Sequence, residues 1–179
     1  CHGATVVCAC RLVNPPPSWH LEITSKSLRR VARALADAGL DISPMKMPGS
    51  TRTAQDAADA VGCHIDQIAK SIIFLDETSG QAILFITAGG NQVDVTKARD
   101  VAGEPLGKAD AALIRAQTGF AIGGVAPIGH LTTPVTFWDP RLSDFDVVYA
   151  AAGTPRHIFP IAPDILLDLS DAIVAKFTA

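Results

Sequence analysis

Apolar residues in the first third of the chain recur with the period of a helix. Positions i, i+3, i+4 and i+7 of one stretch are all apolar: Leu28, Val31, Ala32 and Leu35. This stripe predicts a helix over 27–38. Ser27 is placed to cap its first turn and Gly39 to end it, because serine accepts from free amides and glycine tolerates the left-handed conformation beyond a helix.

The rest of the pattern alternates between short strands and short helices. In chain order it predicts a strand over 42–47, a helix over 53–62, a helical turn over 65–68, a hairpin of strands over 70–76 and 82–87, helices over 96–101 and 110–117, strands over 135–138, 147–150 and 157–161, and a helix opening at Pro163. Thr53 and Asp56 form a capping-box sequence. Hairpins mixed with scattered helices predict an α+β fold, with a curved, mixed and largely antiparallel sheet that is partly barrel-like and flanked by helices.

Length and composition place these elements in one domain. The chain has 179 residues, 48% of them hydrophobic and 18% charged, which is typical of a compact globule with a sizeable core. No apolar run reaches the roughly 18 residues that a membrane-spanning helix needs. A triple proline follows Asn14. We therefore expect residues 1–22 to be a leader or appended segment, poorly ordered, and residues 23–179 to form a single domain.

Charge and cysteine usage narrow the partners. The net charge of −3 argues against bulk coating of nucleic acid, so DNA is not an expected partner, and neither is a membrane. Four cysteines without a CxxC pair exclude a zinc ribbon and are too few for a disulfide scaffold, which favours a cytoplasmic location. One local basic strip is either an ordinary solvated face or a phosphate contact: Lys26, Arg29, Arg30 and Arg33.

Lys70 stands at the head of the buried strand predicted over 70–76. Since side chains alternate faces along a strand, Lys70 shares a face with Ile72 and Phe74, while Ser71 points to the other face. The lysine either extends its amine to solvent or is itself a cation held at the mouth of a pocket, where it can bind a carbonyl or a phosphate. The same alternation argues against a nucleophile pair of Ser71 and Lys70.

A glycine-rich stretch over 119–130 reads Gly-Phe-Ala-Ile-Gly-Gly-Val-Ala-Pro-Ile-Gly-His. Glycine lets the backbone approach a ligand closely, and the proline fixes a bend. Such a loop can turn its N–H groups toward a carbonyl or an oxyanion. Together with Lys70, the loop predicts a small pocket for a polar, partly negative group.

Other motifs for hydrolysis or metal binding are missing. The sequence has no GxSxG nucleophile elbow and no HExxH metal motif. His130 and His157 are either structural residues or pocket residues. A zinc site built from His64, His130 and His157 is disfavoured, so no metal is expected. Cys63 is interpreted as a core or surface thiol rather than a nucleophile.

Five motifs follow one another along the chain. They are Ser50-Thr51-Arg52-Thr53-Ala54, Ile68-Ala69-Lys70-Ser71-Ile72-Ile73-Phe74, Ala88-Gly89-Gly90-Asn91-Gln92-Val93-Asp94, the loop from Gly119 to His130, and Ala152-Gly153-Thr154-Pro155 with His157. In this order they resemble the YbaK/prolyl-tRNA-editing (ProX-like) deacylase family, which also occurs as the editing domain of bacterial prolyl-tRNA synthetases. The resemblance covers about 27–176, and the lysine with the GGVxPxG loop is its most specific part.

The resemblance implies an aminoacyl-tRNA deacylase with an editing-domain fold, which removes a wrong small amino acid from the tRNA 3′ end. It implies a catalytic set of Lys70, Gly123, Gly124 and Val125, with the lysine positioning the carbonyl or the terminal phosphate. It implies a substrate-binding set of Ser71, Phe120, Ala126, Pro127, His130, Gly153 and His157. The basic strip would contact tRNA. No cofactor or metal is implied, and the expected partners are aminoacyl-tRNA and an aminoacyl-tRNA synthetase.

The chemistry of an aminoacyl ester agrees with this set. The ester is already activated, so the protein need only place water and stabilise a tetrahedral oxyanion, and the ribose hydroxyl of the substrate can help activate that water. Specificity would come from pocket volume, although one methylene changes discrimination by only about 1–3 kcal/mol. Two alternatives stay open: a module that binds aminoacyl-tRNA or aminoacyl-adenosine without turnover, and a hydrolase of small amino-acid esters.

Overall fold

Eight strands and five helices build the part of the chain that the computed structural model describes, residues 25–49 and 53–179. The strands are β1 (Met45–Lys46), β2 (Ile68–Asp76), β3 (Ala82–Ala88), β4 (Leu106–Lys108), β5 (Val135–Trp138), β6 (Val148–Ala151), β7 (His157–Ile161) and β8 (Ile173–Val174). The helices are α1 (Lys26–Asp37), α2 (Ala54–Val61), α3 (Val95–Ala102), α4 (Ala111–Thr118) and α5 (Pro163–Leu169).

All eight strands join one mixed sheet, which confirms the predicted α+β fold. Their order is β1-β7-β6-β2-β3-β5-β8, with β4 added beside β2. Four of the strand pairings are antiparallel (β1–β7, β2–β3, β2–β4 and β6–β7) and three are parallel (β2–β6, β3–β5 and β5–β8). Within the described residues, no helix combines the length and the apolar character needed to cross a membrane.

A gap interrupts the sheet beside its central strand. β3 runs along one edge of β2, from Ala69 to Leu75. The other edge is shared, because β6 pairs only with Ile68 and Ala69 while β4 pairs only with residues 74–76. Between them, residues 70–73 have no strand partner on that edge within the described part of the chain. The candidate site lies at this gap.

Apolar packing holds both faces of β2. The largest buried cluster joins α1 and α5 to one face of the sheet, with Trp138 and Phe120 at its centre. A second cluster on the other face contains Phe85, with Ile72 and Phe74 packed against it. The face that Lys70 was predicted to share with Ile72 and Phe74 is therefore the face of this second cluster. The third cluster fixes α2 against Ile68.

Capping signals account for the helix ends. Thr53 and Asp56 form the predicted capping box of α2, which ends at the left-handed Gly62. Pro163 occupies the first turn of α5, as predicted. For α1 the predicted cap was wrong: Ser25, not Ser27, accepts from the Leu28 N–H. The Ser27 hydroxyl instead donates to the Gly119 carbonyl, 3.3 Å away.

Short strands explain the other differences from prediction. The strand predicted over 42–47 is reduced to β1, because only Met45 and Lys46 meet β7. The strands β4 and β8 were not predicted, since three and two residues are too few for an alternating pattern to show. The proposed leader, residues 1–22, and the first three residues of the Ser50 motif lie outside the described residues.

Candidate active site

A cavity of about 270 Å³ occupies the gap beside β2. Its walls come from β2, the glycine loop over 119–130, the turn after β6, and α2. The polar and loop residues of its lining include Lys70, Ser71, Gly123, Val125, Tyr149, Thr154 and His157. The structure therefore brings the predicted lysine and part of the predicted loop to one cavity.

A partly buried network of hydrogen bonds fixes the position of Lys70. Its Nζ donates to the Asn91 carbonyl oxygen at 2.6 Å. The side chain of Asn91 donates in turn to Asp139 Oδ2 at 2.9 Å. Asp139 is 2% exposed and also accepts from the Ala88 and Arg141 N–H groups, so its carboxylate is fully engaged. The lysine is thus held by the turn after β3 rather than free in solvent.

Burial and nearby carboxylates have opposite effects on the Lys70 amine. Burial lowers the pKa of Lys70, whereas Asp139 and Asp66 oppose that change. Asp66 is itself held by the Gly90 N–H and by Arg141 Nε, each at 3.0 Å. A partly dehydrated amine interacts more strongly with a ligand oxygen than one in bulk water. The amine at this position can therefore polarise a carbonyl or hold a phosphate.

Two glycines shape the loop opposite Lys70. Gly123 has φ +87°, a conformation that L side chains rarely adopt. A Cβ on Gly124 would lie 2.6 Å from the Thr154 carbonyl carbon and 2.7 Å from its Cα. The loop backbone therefore packs directly against the turn after β6, which leaves no room for a side chain.

Two of the three expected loop amides have no hydrogen-bond partner in the described chain. The Gly124 N–H already donates to the Ala121 carbonyl oxygen at 3.0 Å and closes a turn within the loop. The N–H groups of Gly123 and Val125 have no hydrogen-bond partner among residues 25–49 and 53–179. Since both residues line the cavity, these two amides are the candidates for binding a carbonyl oxygen.

Arg30 of α1 donates hydrogen bonds to both ends of the glycine loop. Its Nη2 donates to the Gly119 carbonyl at 2.8 Å and its Nε to the Gly129 carbonyl at 3.2 Å. The guanidinium carbon also lies 4.8 Å from the centre of the buried Phe120 ring. Arg30 was predicted to contact tRNA, yet its hydrogen bonds go to the loop. The other members of the basic strip, Lys26, Arg29 and Arg33, are exposed.

We expect Arg30→Lys to destabilise the protein by about 1–3 kcal/mol, because one ammonium cannot reproduce two charge-assisted bonds to separate carbonyls. Any activity that depends on the shape of the loop should fall with it. Arg33→Lys is the matched control, since Arg33 is exposed and its ion pair with Asp37 spans 3.8 Å. Urea unfolding measures both, and equal stabilities of the two variants would contradict the role given to Arg30.

His157 lies in the cavity, at the start of β7. Its Nδ1 is 2.6 Å from Thr154 Oγ1, so the turn after β6 orients the ring. Burial, and then the charge of Lys46, lowers the pKa of His157. A neutral imidazole with one nitrogen engaged can present its other nitrogen to a ligand.

His130 lies in a different cavity from Lys70. This second cavity, of about 190 Å³, is lined by His130 and Pro127 from the end of the loop and by Ser170 after α5. The His130 ring contacts Phe120 with ring centres 5.7 Å apart, and its buried Nε2 has no hydrogen-bond partner in the described residues. His130 and Pro127 therefore do not converge with Lys70.

The buried imidazole predicts a loss of stability in mild acid. Burial lowers the pKa of His130 from 6.5 to about 4, while a hydrogen bond to the Ala126 backbone opposes the change and Arg30 adds to it. Between pH 6.5 and about 4, the unfolded chain therefore binds a proton at this histidine that the folded protein does not bind. The free energy of unfolding should fall by about 3 kcal/mol as the pH drops from 6.5 to 4. Denaturant titrations of the wild type and of His130→Gln measure it, and equal slopes against pH would contradict this cause.

The remaining predicted substrate residues are not part of the cavity lining. Phe120 and Ala126 are fully buried in the main core. Gly153 has φ +95°, and a Cβ there would lie 2.8 Å from the Ser27 carbonyl oxygen. This glycine thus lets the turn after β6 pack against the first turn of α1.

Sequence reasoning missed two residues that hold the lysine and one that lines the cavity. Asn91 was noted only as part of the Ala88–Asp94 motif, and Asp139, which caps the short helical turn over 140–144, was not singled out as a site residue. Tyr149 lines the cavity from β6, where burial raises its pKa. The position of Asp139 directly after an apolar strand was the sequence signal that could have marked this residue. Within the described residues, no three His, Cys, Asp or Glu side chains cluster to hold a metal ion.

The fold is that of an aminoacyl-tRNA editing domain of the YbaK class. The family model of the aminoacyl-tRNA editing domain matches residues 49–169, and the chain belongs to that family. The resemblance carried by the five motifs is thereby confirmed at the level of the family.

Relatives and solved structures agree with this assignment. The uncharacterized protein YwhH of Bacillus subtilis is 32% identical over 121 residues, which cover 68% of this chain and 76% of YwhH. EbsC of Enterococcus faecalis, named as a candidate Cys-tRNA(Pro)/Cys-tRNA(Cys) deacylase, is 24% identical over 130 residues, which cover 70% of this chain and 77% of EbsC. A crystal structure described as a candidate trans-editing enzyme for prolyl tRNA synthetase is 44% identical with a TM-score of 0.81, covering 87% of this chain and 98% of that chain.

Proposed function

We propose that this protein hydrolyses, in trans, the ester of a mischarged aminoacyl-tRNA that carries a small amino acid. One observation carries the proposal: Lys70, Gly123 and Val125 line one cavity at the sheet gap, and the two loop residues have N–H groups without a partner in the described chain. The family of editing domains supports this activity, as does the description of the 44% identical relative.

The reaction uses these groups without a covalent intermediate. The ester carbonyl lies between the Lys70 amine and the loop amides, and water attacks its carbon. The amides of Gly123 and Val125 stabilise the oxyanion, where one such donor is typically worth about 10²–10³ in rate. The attacking water loses one proton as its oxygen bonds to the carbonyl carbon. The bond from the carbonyl carbon to the ribose oxygen then breaks, and the ribose oxygen takes up one proton in place of the one that the water lost. The products are a free amino acid and tRNA.

Cavity size favours a small acyl group. A volume of about 270 Å³ is at or below the lower end of the roughly 300–1,000 Å³ typical of small-molecule pockets. The acyl group and its ester fit such a space, whereas the terminal nucleotide must lie outside. Ser71 and His157 line the wall and supply polar contacts to the acyl group.

The exposed basic residues of α1 are the candidates for contact with the tRNA. The first turn of α1 packs against Gly153, whose neighbour Thr154 lines the cavity. Lys26, Arg29 and Arg33 thus lie on the helix that borders the cavity wall and can contact phosphates as the 3′ end enters. A partner synthetase would deliver the mischarged tRNA in the cytoplasm.

A panel of charged tRNAs tests the activity. Transfer RNAs esterified with alanine, serine, cysteine and larger residues are incubated with the protein, and loss of the ester is followed. We expect loss above the buffer rate for small residues and none for large ones. If no ester is lost above buffer, the protein is a binding module instead, and its affinity for non-hydrolysable aminoacyl-adenosine measures that alternative.

Charge reversal separates tRNA editing from hydrolysis of small esters. The double variant Arg29→Glu with Arg33→Glu should slow deacylation of tRNA and leave the rate on a minimal amino-acid ester unchanged. Equal rates of variant and wild type on tRNA would favour a general ester hydrolase. Arg30 is left intact, since its loss would disturb the loop.

A further inference from the structure

The gap in the sheet exposes a backbone edge to the cavity. β6 leaves β2 after Ala69, and β4 joins it only at Phe74. Ser71 lies between these points and lines the cavity. An unpaired strand edge presents N–H and C=O groups that accept another extended segment.

The hydrogen bonds at the end of β2 show which residues face the gap. The Asp76 N–H donates to the Gln81 carbonyl, toward β3, at 2.9 Å, and the Glu77 N–H donates to the Pro105 carbonyl, toward β4, at 3.0 Å. Successive residues of a strand direct their peptide groups to opposite edges. Even-numbered residues of β2 therefore face β3, and odd-numbered residues face the edge that β6 and β4 share. The N–H and C=O of Ser71 thus point into the gap.

All three polar groups of Ser71 lack a partner in the described chain. The pairing of β2 with β6 stops two residues earlier, and no loop residue among 25–49 and 53–179 donates to or accepts from the Ser71 backbone. Its Oγ is buried and also without a hydrogen-bond partner in those residues. Buried polar groups are nearly always satisfied, so an N–H, a C=O and a hydroxyl without partners at a cavity wall indicate a ligand that supplies those partners.

We propose that the acyl group of the substrate completes the sheet at this gap as a one-residue bridge to Ser71. The α-ammonium donates to the Ser71 carbonyl oxygen, and the ester carbonyl accepts from the Ser71 N–H. This inference rests on the proposed function and names the part of the substrate that the site recognises, the α-amino ester unit.

The geometry of an α-amino ester fits this role. Its nitrogen and its carbonyl are separated by one carbon, as in a peptide residue, so it can exchange two hydrogen bonds with one strand residue as an antiparallel pair does. The Ser71 N–H then joins the loop amides at the carbonyl oxygen. Recognition through the backbone is independent of the side chain, which leaves cavity size to select the amino acid.

Removal of the α-amine from the substrate tests the bridge. The best small acyl group of the panel is compared with its deamino analogue, for example alanyl-tRNA with propionyl-tRNA, each rate divided by its spontaneous hydrolysis in buffer. The division is needed because the α-ammonium itself activates the ester. We expect the normalised rate to fall about 10- to 100-fold without the amine. Equal normalised rates would overturn the inference while leaving the deacylase function in place.

A backbone substitution tests the protein side. Replacing Ser71 by its α-hydroxy acid analogue turns the N–H into an ester oxygen and should lower the rate on the intact substrate about tenfold. The same replacement at Ile73, which faces the gap outside the cavity lining, is the control and should leave the rate unchanged. A wild-type rate at position 71 would contradict the bridge. If that variant does not fold, the substrate pair on the wild type decides.

Affinity measurements distinguish a failure of this inference from a failure of the proposed function. If no charged tRNA is deacylated, the proposed function fails, and the bridge is then judged by the affinities of 3′-alanylamino-3′-deoxyadenosine and its propionyl counterpart. Weaker binding of the propionyl compound supports recognition of the α-amine, and equal binding refutes it.

Discussion

Replacing Lys70 by alanine is expected to reduce deacylation by about 100-fold or more while the protein stays folded. The amine is removed from the cavity wall, and no other lysine lines that cavity. The backbone of residue 70 still pairs with Thr87 of β3, so the strand is kept. Single-turnover deacylation and a thermal melt measure the two effects.

Lys108→Ala is the matched control for this variant. Lys108 is exposed on β4 and lies outside the cavity lining. Its removal should leave the rate within twofold of the wild type. A Lys70→Ala protein that keeps the wild-type rate would remove the lysine from the reaction.

Gly124→Ala is expected to abolish most activity and to destabilise the protein by about 1–3 kcal/mol. The new Cβ would lie 2.6 Å from the carbonyl carbon of Thr154, and backbone atoms cannot rotate away as a side chain can. The loop must move off the turn after β6, which displaces the amides of Gly123 and Val125 from the cavity. Urea unfolding and deacylation rates measure the two losses.

Gly107→Ala controls for the general effect of adding a methyl group. Its Cβ would also meet an atom at 2.5 Å, but that atom is the carboxylate end of the exposed Glu77 side chain, which can swing aside. Stability and activity should change little. A Gly124→Ala protein as active as Gly107→Ala would show that the close packing of the loop does not position its amides.

Local signals predicted the elements well. The capping box at Thr53, the proline of α5 and the bounds of β5 and β7 were all predicted, because each depends on residues close in sequence. Strand alternation alone predicted that Lys70 lies on the same face of β2 as Ile72 and Phe74.

Long-range packing set the parts of the site that the sequence did not reveal. His130 was grouped with Lys70 because it closes the glycine loop, but the middle of the loop lines the cavity of Lys70 and residues 127–130 line the other cavity. Asn91, 21 residues from Lys70 in sequence, accepts the hydrogen bond of the lysine, and Asp139 in turn binds the side chain of Asn91. The gap depends on how far β4 and β6 pair with β2, which no local pattern encodes.

If the proposed function holds, the gap gives the substrate access to the backbone of β2. A sheet that is continuous beside β2 would bury these peptide groups in strand pairing. Here residues of the glycine loop and of the turn after β6 line the cavity, together with the half-buried Lys70.

A structure with a bound analogue tests the central claim most directly. Crystals are soaked with the non-hydrolysable 3′-alanylamino-3′-deoxyadenosine, and the position of its acyl carbonyl is determined. The account predicts that this oxygen lies within hydrogen-bond distance of a loop amide at Gly123 or Val125, with the Lys70 amine on the same cavity wall. An analogue bound only beside His130, or away from Lys70 while the protein still deacylates tRNA, would contradict it.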